Sequence, residues 1–217
     1  MFPSNTAAVR LRRSAAALVV SVLCLLGAAA HAAAAVRHVA SSGSDADSCT
    51  RSAPCDSFAK AYSVATDGDV VALSAGAYPA QRLPAGAKAV TFRGSRAAKV
   101  RELDNSADNV TFDGVDVDAG FSKTTGFENH GASNVTFKNG RIGNVTDEKG
   151  ALVSGSNFTF DNVVFHDVRV TAPEVHNECV YAIGVPGMTV RNSTFTECAT
   201  MDLFFTYGSW WSPSPPS

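Results

Sequence analysis

Apolar and polar positions alternate along this chain in one phrase that keeps returning. It reads Asn109-Val-Thr-Phe-Asp-Gly-Val-Asp-Val117, then Asn134-Val-Thr-Phe-Lys-Asn-Gly-Arg-Ile142, Asn157-Phe-Thr-Phe-Asp-Asn-Val-Val-Phe165 and, more loosely, Gly187-Met-Thr-Val-Arg-Asn-Ser-Thr-Phe195, with a fainter copy from Ala89. The starts lie 20, 25, 23 and 30 residues apart, a spacing that marks a stacked repeat. In each full copy the first, third and eighth residues after the start are apolar (Val110, Phe112 and Val117 in one; Val135, Phe137 and Ile142 in the next), so each copy predicts strands with one buried face.

The other positions of the phrase are as regular. Thr91, Thr111, Thr136, Thr159 and Thr189 fall between the first two apolar residues, where a β-branched side chain suits an outward strand position. Gly94, Gly114, Asn139, Asn162 and Asn192 fall where the chain must bend, and Gly and Asn adopt left-handed φ at least cost. Each unit therefore reads strand, bend, strand and cannot bury its apolar face alone. Stacked at about 4.8 Å, such units form a parallel β-helix. The leucine and asparagine frame of a leucine-rich repeat is missing.

Before the repeats, Val36–Val39 predicts a short strand. Asp56 or Ser57 then caps a helix with Phe58, Ala61, Tyr62 and Ala65 on one face, stopped by Asp67-Gly68, and Val70–Leu73 predicts a buried strand. A helix placed there would close the open end of a solenoid. Between the repeats, Asp118–Gly126, Gly143–Gly150 and His166–Glu178 are insertions of uneven length, which gather at one corner of a solenoid and tend to carry function.

The first 35 residues stand apart. Arg10, Arg12 and Arg13 precede an apolar run, Ala15–Ala30, and then Ala30-His31-Ala32, the layout of a secretory signal peptide; the run is short for a membrane anchor. Its removal takes the formal charge from −2 to −5 and leaves no basic patch of the kind that nucleic-acid binding needs. The expected organisation is a signal peptide (1–35), a cap (36–80), coils (81–207) and a Pro/Ser-rich tail (208–217), secreted and free of the membrane after cleavage. Export permits disulfides. Four cysteines remain, with three possible pairings; the short loop favours Cys49–Cys55, and a one-coil spacing favours Cys179–Cys198.

The cap segments Val39-Ala-Ser-Ser-Gly-Ser-Asp45, Ala53-Pro-Cys-Asp-Ser-Phe58, Ala61-Tyr62, Gly68-Asp-Val-Val71 and Gly76-Ala-Tyr78 resemble the entrance of secreted right-handed parallel β-helix proteins of the pectate-lyase-like superfamily. The resemblance spans roughly residues 36–207. It implies an all-β, right-handed parallel β-helix with an N-terminal capping helix, and a polysaccharide or cell-wall glycan as partner. Lyases of that superfamily use Ca2+ held by carboxylates, which neutralises the substrate carboxylate and acidifies the neighbouring C–H. Asp116 and Asp118, outward on one strand, with Asp104 from a neighbouring strand, are the candidate ligands. The chain lacks the Trp-Ile-Asp-His and Arg-x-Pro-x-x-Arg segments of well-studied pectate lyases.

Two further sets complete the candidates. His176 and Glu178 alternate onto one side of an extended segment and suit an acid/base pair, with Arg191 or Lys149 nearby. Tyr181, Asp202 and Tyr207 suit a sugar-stacking cleft. The charges at Arg93, Asp113, Lys138, Asp161 and Arg191 alternate in sign from coil to coil and predict a ladder of exposed ion pairs, a structural use that argues against Asp113 as a ligand. Two functions follow: an enzyme that cleaves or modifies an extracellular polysaccharide, or a non-catalytic carbohydrate-binding or adhesion module.

Overall fold

A computed structural model describes residues 34–173, 175 and 177–207. Residues 1–33 of the expected signal peptide, the Pro/Ser-rich tail with its two tryptophans, and His176 lie outside these residues. Strand β1 (Val36–Val39) and helix α1 (Phe58–Val64) form the cap. Six coils of three strands follow: β2 (Val70–Leu73), β3 (Gly76–Tyr78) and β4 (Gln81–Gly86); β5 (Val90–Arg93), β6 (Ala98–Val100) and β7 (Leu103–Ala107); β8 (Val110–Asp113), β9 (Asp116–Ser122) and β10 (Phe127–Asn129). The last three coils are β11 (Thr136–Lys138), β12 (Arg141–Thr146) and β13 (Ala151–Ser154); β14 (Thr159–Asp161), β15 (Val164–Arg169) and β16 (Glu178–Ile183); β17 (Thr189–Arg191), β18 (Thr194–Cys198) and β19 (Met201–Thr206).

The strands stack into three parallel sheets. Sheet A runs β1-β2-β5-β8-β11-β14-β17, sheet B runs β3-β6-β9-β12-β15-β18, and sheet C runs β4-β7-β10-β13-β16-β19. This is an all-β parallel β-helix. Its register is the one the repeated phrase dictates: Phe92, Phe112, Phe137, Phe160 and Val190 pair in succession up sheet A. The four phenylalanines are fully buried, with successive ring centroids 5.6, 6.0 and 6.2 Å apart. Beside them the threonines form the expected outer column. The charges alternate as the sequence predicts, with Asp113 within 3.7 Å of Arg93 and 3.6 Å of Lys138, and Arg191 2.8 Å from Asp161. Such exposed pairs contribute about 0.2–1 kcal/mol each.

Helix α1 begins at Ser57, whose hydroxyl accepts from the Lys60 N–H, and ends at Val64, before Asp67-Gly68. Its Phe58 ring stacks on Phe92 with centroids 5.1 Å apart and covers the lumen end. Disulfides join Cys49 to Cys55 and Cys179 to Cys198, the second tying β16 to β18.

The bends follow the sequence with one exception. Gly114, Asn139, Asn162 and Asn192 all have left-handed φ (73, 56, 57 and 54°), whereas Gly94 does not, because the chain there takes four residues between β5 and β6 instead of two. Two more left-handed columns carry no such forecast. Asn109, Asn134 and Asn157 open the coils at φ 60, 57 and 52°. On sheet B, Phe121, Asn144, Asp167 and Glu197 stand one residue before the paired Ser122, Val145, Val168 and Cys198, at φ 59, 55, 53 and 54°. Asparagine side chains join coil to coil: Asn134 donates to Asn109 (3.0 Å), Asn157 to Asn134 (3.1 Å), and Asn162 to Asn139 (3.0 Å).

Candidate functional site

Parallel stacking at strand spacing brings together outward residues that are about one coil apart in sequence. On sheet C the outward column runs Arg82, Asp104, Glu128, Leu152, Tyr181 and Phe204. Asp104 sits directly opposite Glu128, and His130, two residues on, is turned back to both: Nε2 is 3.3 Å from Glu128 Oε2 and 4.0 Å from Asp104 Oδ1. From the other side Arg82 Nε contacts Asp104 Oδ2 at 2.9 Å. One ligand atom each from Asp104, Glu128 and His130 lies within 4.8 Å of the others, so this group could hold a metal ion.

The group is shielded unevenly. Asp104 is buried, Glu128 is intermediate and His130 is exposed, so a ligand would meet the imidazole first. Next to it Glu102 is pushed above the ordinary carboxylate value by burial and then by the charge of Asp104. A depression of about 340 Å3 opens over Arg82, Pro84, Asp104 and His130, and Arg82 also lines its neighbour of about 420 Å3, which reaches the cap at Asp56 and Ser57. The two depressions share Ala59 and Arg82 in their lining.

The residues expected to bind calcium do not assemble. Asp116 and Asp118 face outward on sheet B, whereas Asp104 is on sheet C, because the bend after Val100 carries the chain from one sheet to the other before Asp104 is reached. Asp118 is already engaged: Lys99 Nζ lies 3.1 Å away and Asn144 Nδ2 donates to it at 2.8 Å. Burial alone would raise its pKa, but these donors outweigh burial and hold it low. Burial raises Asp116, which Arg141 and Lys99 offset only in part.

The acid/base set is also dispersed. Glu178 opens β16 on sheet C and is buried, while Arg191 lies on sheet A, bonded to Asp161; sequence proximity to the repeat put them together, but the coil separates them. Lys149 precedes Gly150, whose N–H bonds the Glu178 carbonyl, and its ammonium is 3.4 Å from Glu148. Of the aromatic set, Tyr181 is nearly buried and stacks on Phe204 at 5.3 Å. Tyr207 is fully exposed beside Pro186 and Phe205, and Asp202 is exposed on the last strand of sheet C, so the three do not line one cleft.

Glu128 and His130 escaped the sequence reading, although a signal existed. Counted back from the phrase, Asp104 stands five residues before Asn109 and Glu128 six before Asn134. A one-residue difference in the turn that follows hides the alignment.

No family model matches the chain, and no curated protein matches it. A solved structure titled rhamnogalacturonan lyase is similar in fold, with a TM-score of 0.42 and 11% identity over 85% of this chain. The chain spans 65% of the length of that protein.

Proposed function

We propose that the protein is secreted and binds an acidic extracellular polysaccharide along the outer face of sheet C, through a divalent cation held by Asp104, Glu128 and His130. The observation that carries this reading is the convergence of three potential ligand atoms within 4.8 Å on one sheet face, at a depression lined by Arg82, Asp104 and His130. The two carboxylates are oxygen donors of the kind Ca2+ takes, and the imidazole extends the set towards Zn2+ or Mn2+. A cation there would bridge to a uronate carboxylate, and Arg82 would meet the same group through its free guanidinium end.

One observation favours chemistry over binding alone. Where Asp104 and Glu128 alone hold the cation, the exposed His130 ring beside them is left to take a proton next to a bound carboxylate. Polygalacturonate and alginate, each incubated with the protein with and without Ca2+, Mn2+ or Zn2+, test both forms. Retention of either polymer in affinity electrophoresis that depends on cation and is lost in Glu128→Gln supports binding, and ultraviolet absorbance from unsaturated products adds elimination. Cation-independent behaviour, or a Glu128→Gln variant identical to the parent, would remove the reading.

A further inference from the structure

The two ends of the solenoid differ. At the first, Phe58 of helix α1 stacks on Phe92 and covers the lumen. At the sixth coil no described residue does the same. Phe160, Phe165, Val180 and Ala182 are fully buried inward residues of the fifth coil. The residues that pair with them one coil on are Val190, Phe195, Leu203 and Phe205; the first three are half-buried and Phe205 is 53% exposed. These side chains keep their inward place in the stack and lack only a layer above them. The Phe195 ring lies flat on Phe165 with centroids 4.8 Å apart, and among the described residues it meets no ring on its other side. Strands β17, β18 and β19 each end a sheet, so their outer N–H and C=O groups have no ladder partner among the described strands.

The chemistry of this face selects what can cover it. It is apolar, and a depression of about 450 Å3 lined by Val185, Pro186, Phe205 and Tyr207 borders it. Its rim is acidic: Glu197 and Asp202 are exposed, while Arg191, the one basic residue of β17–β19, is bonded to Asp161. A second copy docked face to face would bring one acidic rim onto another. Residues 208–217 are only Gly, Ser, Trp and Pro, with no charged side chain to desolvate, and they follow directly on Tyr207 at the border of the face. Trp210 and Trp211 stand three and four residues beyond Tyr207, about 10–13 Å of extended chain, against about 10 Å between packed sheets. Two indoles therefore reach across the lumen and supply the flat apolar area that Phe195 and Phe205 leave uncovered.

We infer that the open end of the sixth coil is the docking surface of segment 208–217, whose two indoles cover Phe195, Leu203 and Phe205 as Phe58 covers Phe92 at the first end. The tail is then a second cap supplied by the chain itself, and it blocks end-to-end association through the free edges of β17–β19. The inference is independent of the cation site, which lies on the outer face of sheet C.

Trp210 and Trp211 are the chain's two tryptophans, so tryptophan fluorescence of the full chain reports on the tail alone. In the monomer the emission should be blue-shifted, and acrylamide should quench it at least about threefold less than in a free peptide of residues 208–217. Phe205→Ser should raise the quenching about twofold or more and Phe205→Leu should not, with slow hydrogen exchange in β5–β10 showing that both variants are folded. The paired change Trp210→Ser and Trp211→Ser should speed exchange in β17–β19 about tenfold or more and leave β5–β10 unchanged. Peptide-like quenching in the parent, full protection in Phe205→Ser, or unchanged exchange in β17–β19 without the tryptophans would each overturn the inference. So would protection that appears only as light scattering shows a dimer forming, which would assign the face to a second copy.

Discussion

Asn139 donates a hydrogen bond from its Nδ2 to Asp113 Oδ1 on the preceding coil at 2.7 Å, and its own Oδ1 accepts from Asn162 on the following coil at 3.0 Å. Its backbone is left-handed at φ 56°, so one residue turns its own coil and ties three together. Asn139→Ala should lose both the side-chain bonds and the tolerance for that φ, about 2–3 kcal/mol in chemical denaturation. Asn139→Gly keeps the turn and should fall clearly short of the alanine loss. Equal losses would mean that the ladder alone, not the turn, sets the preference.

Phe137 is fully buried between Phe112 and Phe160, with ring centroids 6.0 and 6.2 Å away. Phe137→Ala should cost about 3–5 kcal/mol, because rigid coils on both sides prevent the cavity from collapsing. Thr136→Ala, on the outward side of the same strand, should change the denaturation midpoint far less.

Three of the chain's irregular segments meet at Asp147. Lys123 Nζ is 2.7 Å from its carboxylate, the Thr171 hydroxyl donates at 2.7 Å, and the Thr171 and Ala172 N–H groups donate at 2.6 and 3.2 Å. These donors, Lys123 foremost, hold Asp147 far below its ordinary value of 3.8. A depressed acid contributes stability that is complete above the unfolded pKa and is lost as pH falls towards the folded one. Acid unfolding below pH 3.8 should therefore be shallower in Asp147→Asn than in the parent, and the variant should already be less stable at neutral pH.

The disulfide between Cys179 and Cys198 closes a segment with a sequence separation of 19 and fastens the fifth coil to the sixth. By loop-closure entropy it contributes about 3 kcal/mol. Replacing both cysteines with serine should raise hydrogen exchange first in β17–β19, whose residues are the least buried of the helix, and leave β5–β10 protected. Uniform loss across the chain would show that the solenoid unfolds as one unit.

Cation titration distinguishes the two carboxylate groups. Glu128→Gln should weaken Mn2+ or Ca2+ binding at least about tenfold, since it removes one of three donors. Asp118→Asn should leave cation affinity unchanged and lower the melting temperature, because its partners Lys99 and Asn144 serve the structure.

Sheet A could be read residue by residue, since Thr91, Phe92 and Arg93 have counterparts at fixed offsets in every later coil. The offsets are fixed because the turn from sheet A to sheet B is two residues in every coil but the second. The turns that lead into and out of sheet C differ in length, so the pairing of Asp104 with Glu128 leaves no constant spacing behind. Of the three carboxylates expected to bind calcium, Asp116 and Asp118 fall on sheet B, and the partner that Asp104 meets is Glu128, one coil away.

The amino-acid sequence by itself determined the solenoid, its capping helix, the column of phenylalanines and the alternating charges, because local alternation and a recurrent left-handed bend specify strand faces wherever they occur. Only the tertiary structure decided which outward side chains meet across sheet C, and that Phe121 occupies a backbone state meant for asparagine. Contacts of that kind depend on how many residues each irregular turn takes up before the next coil stacks.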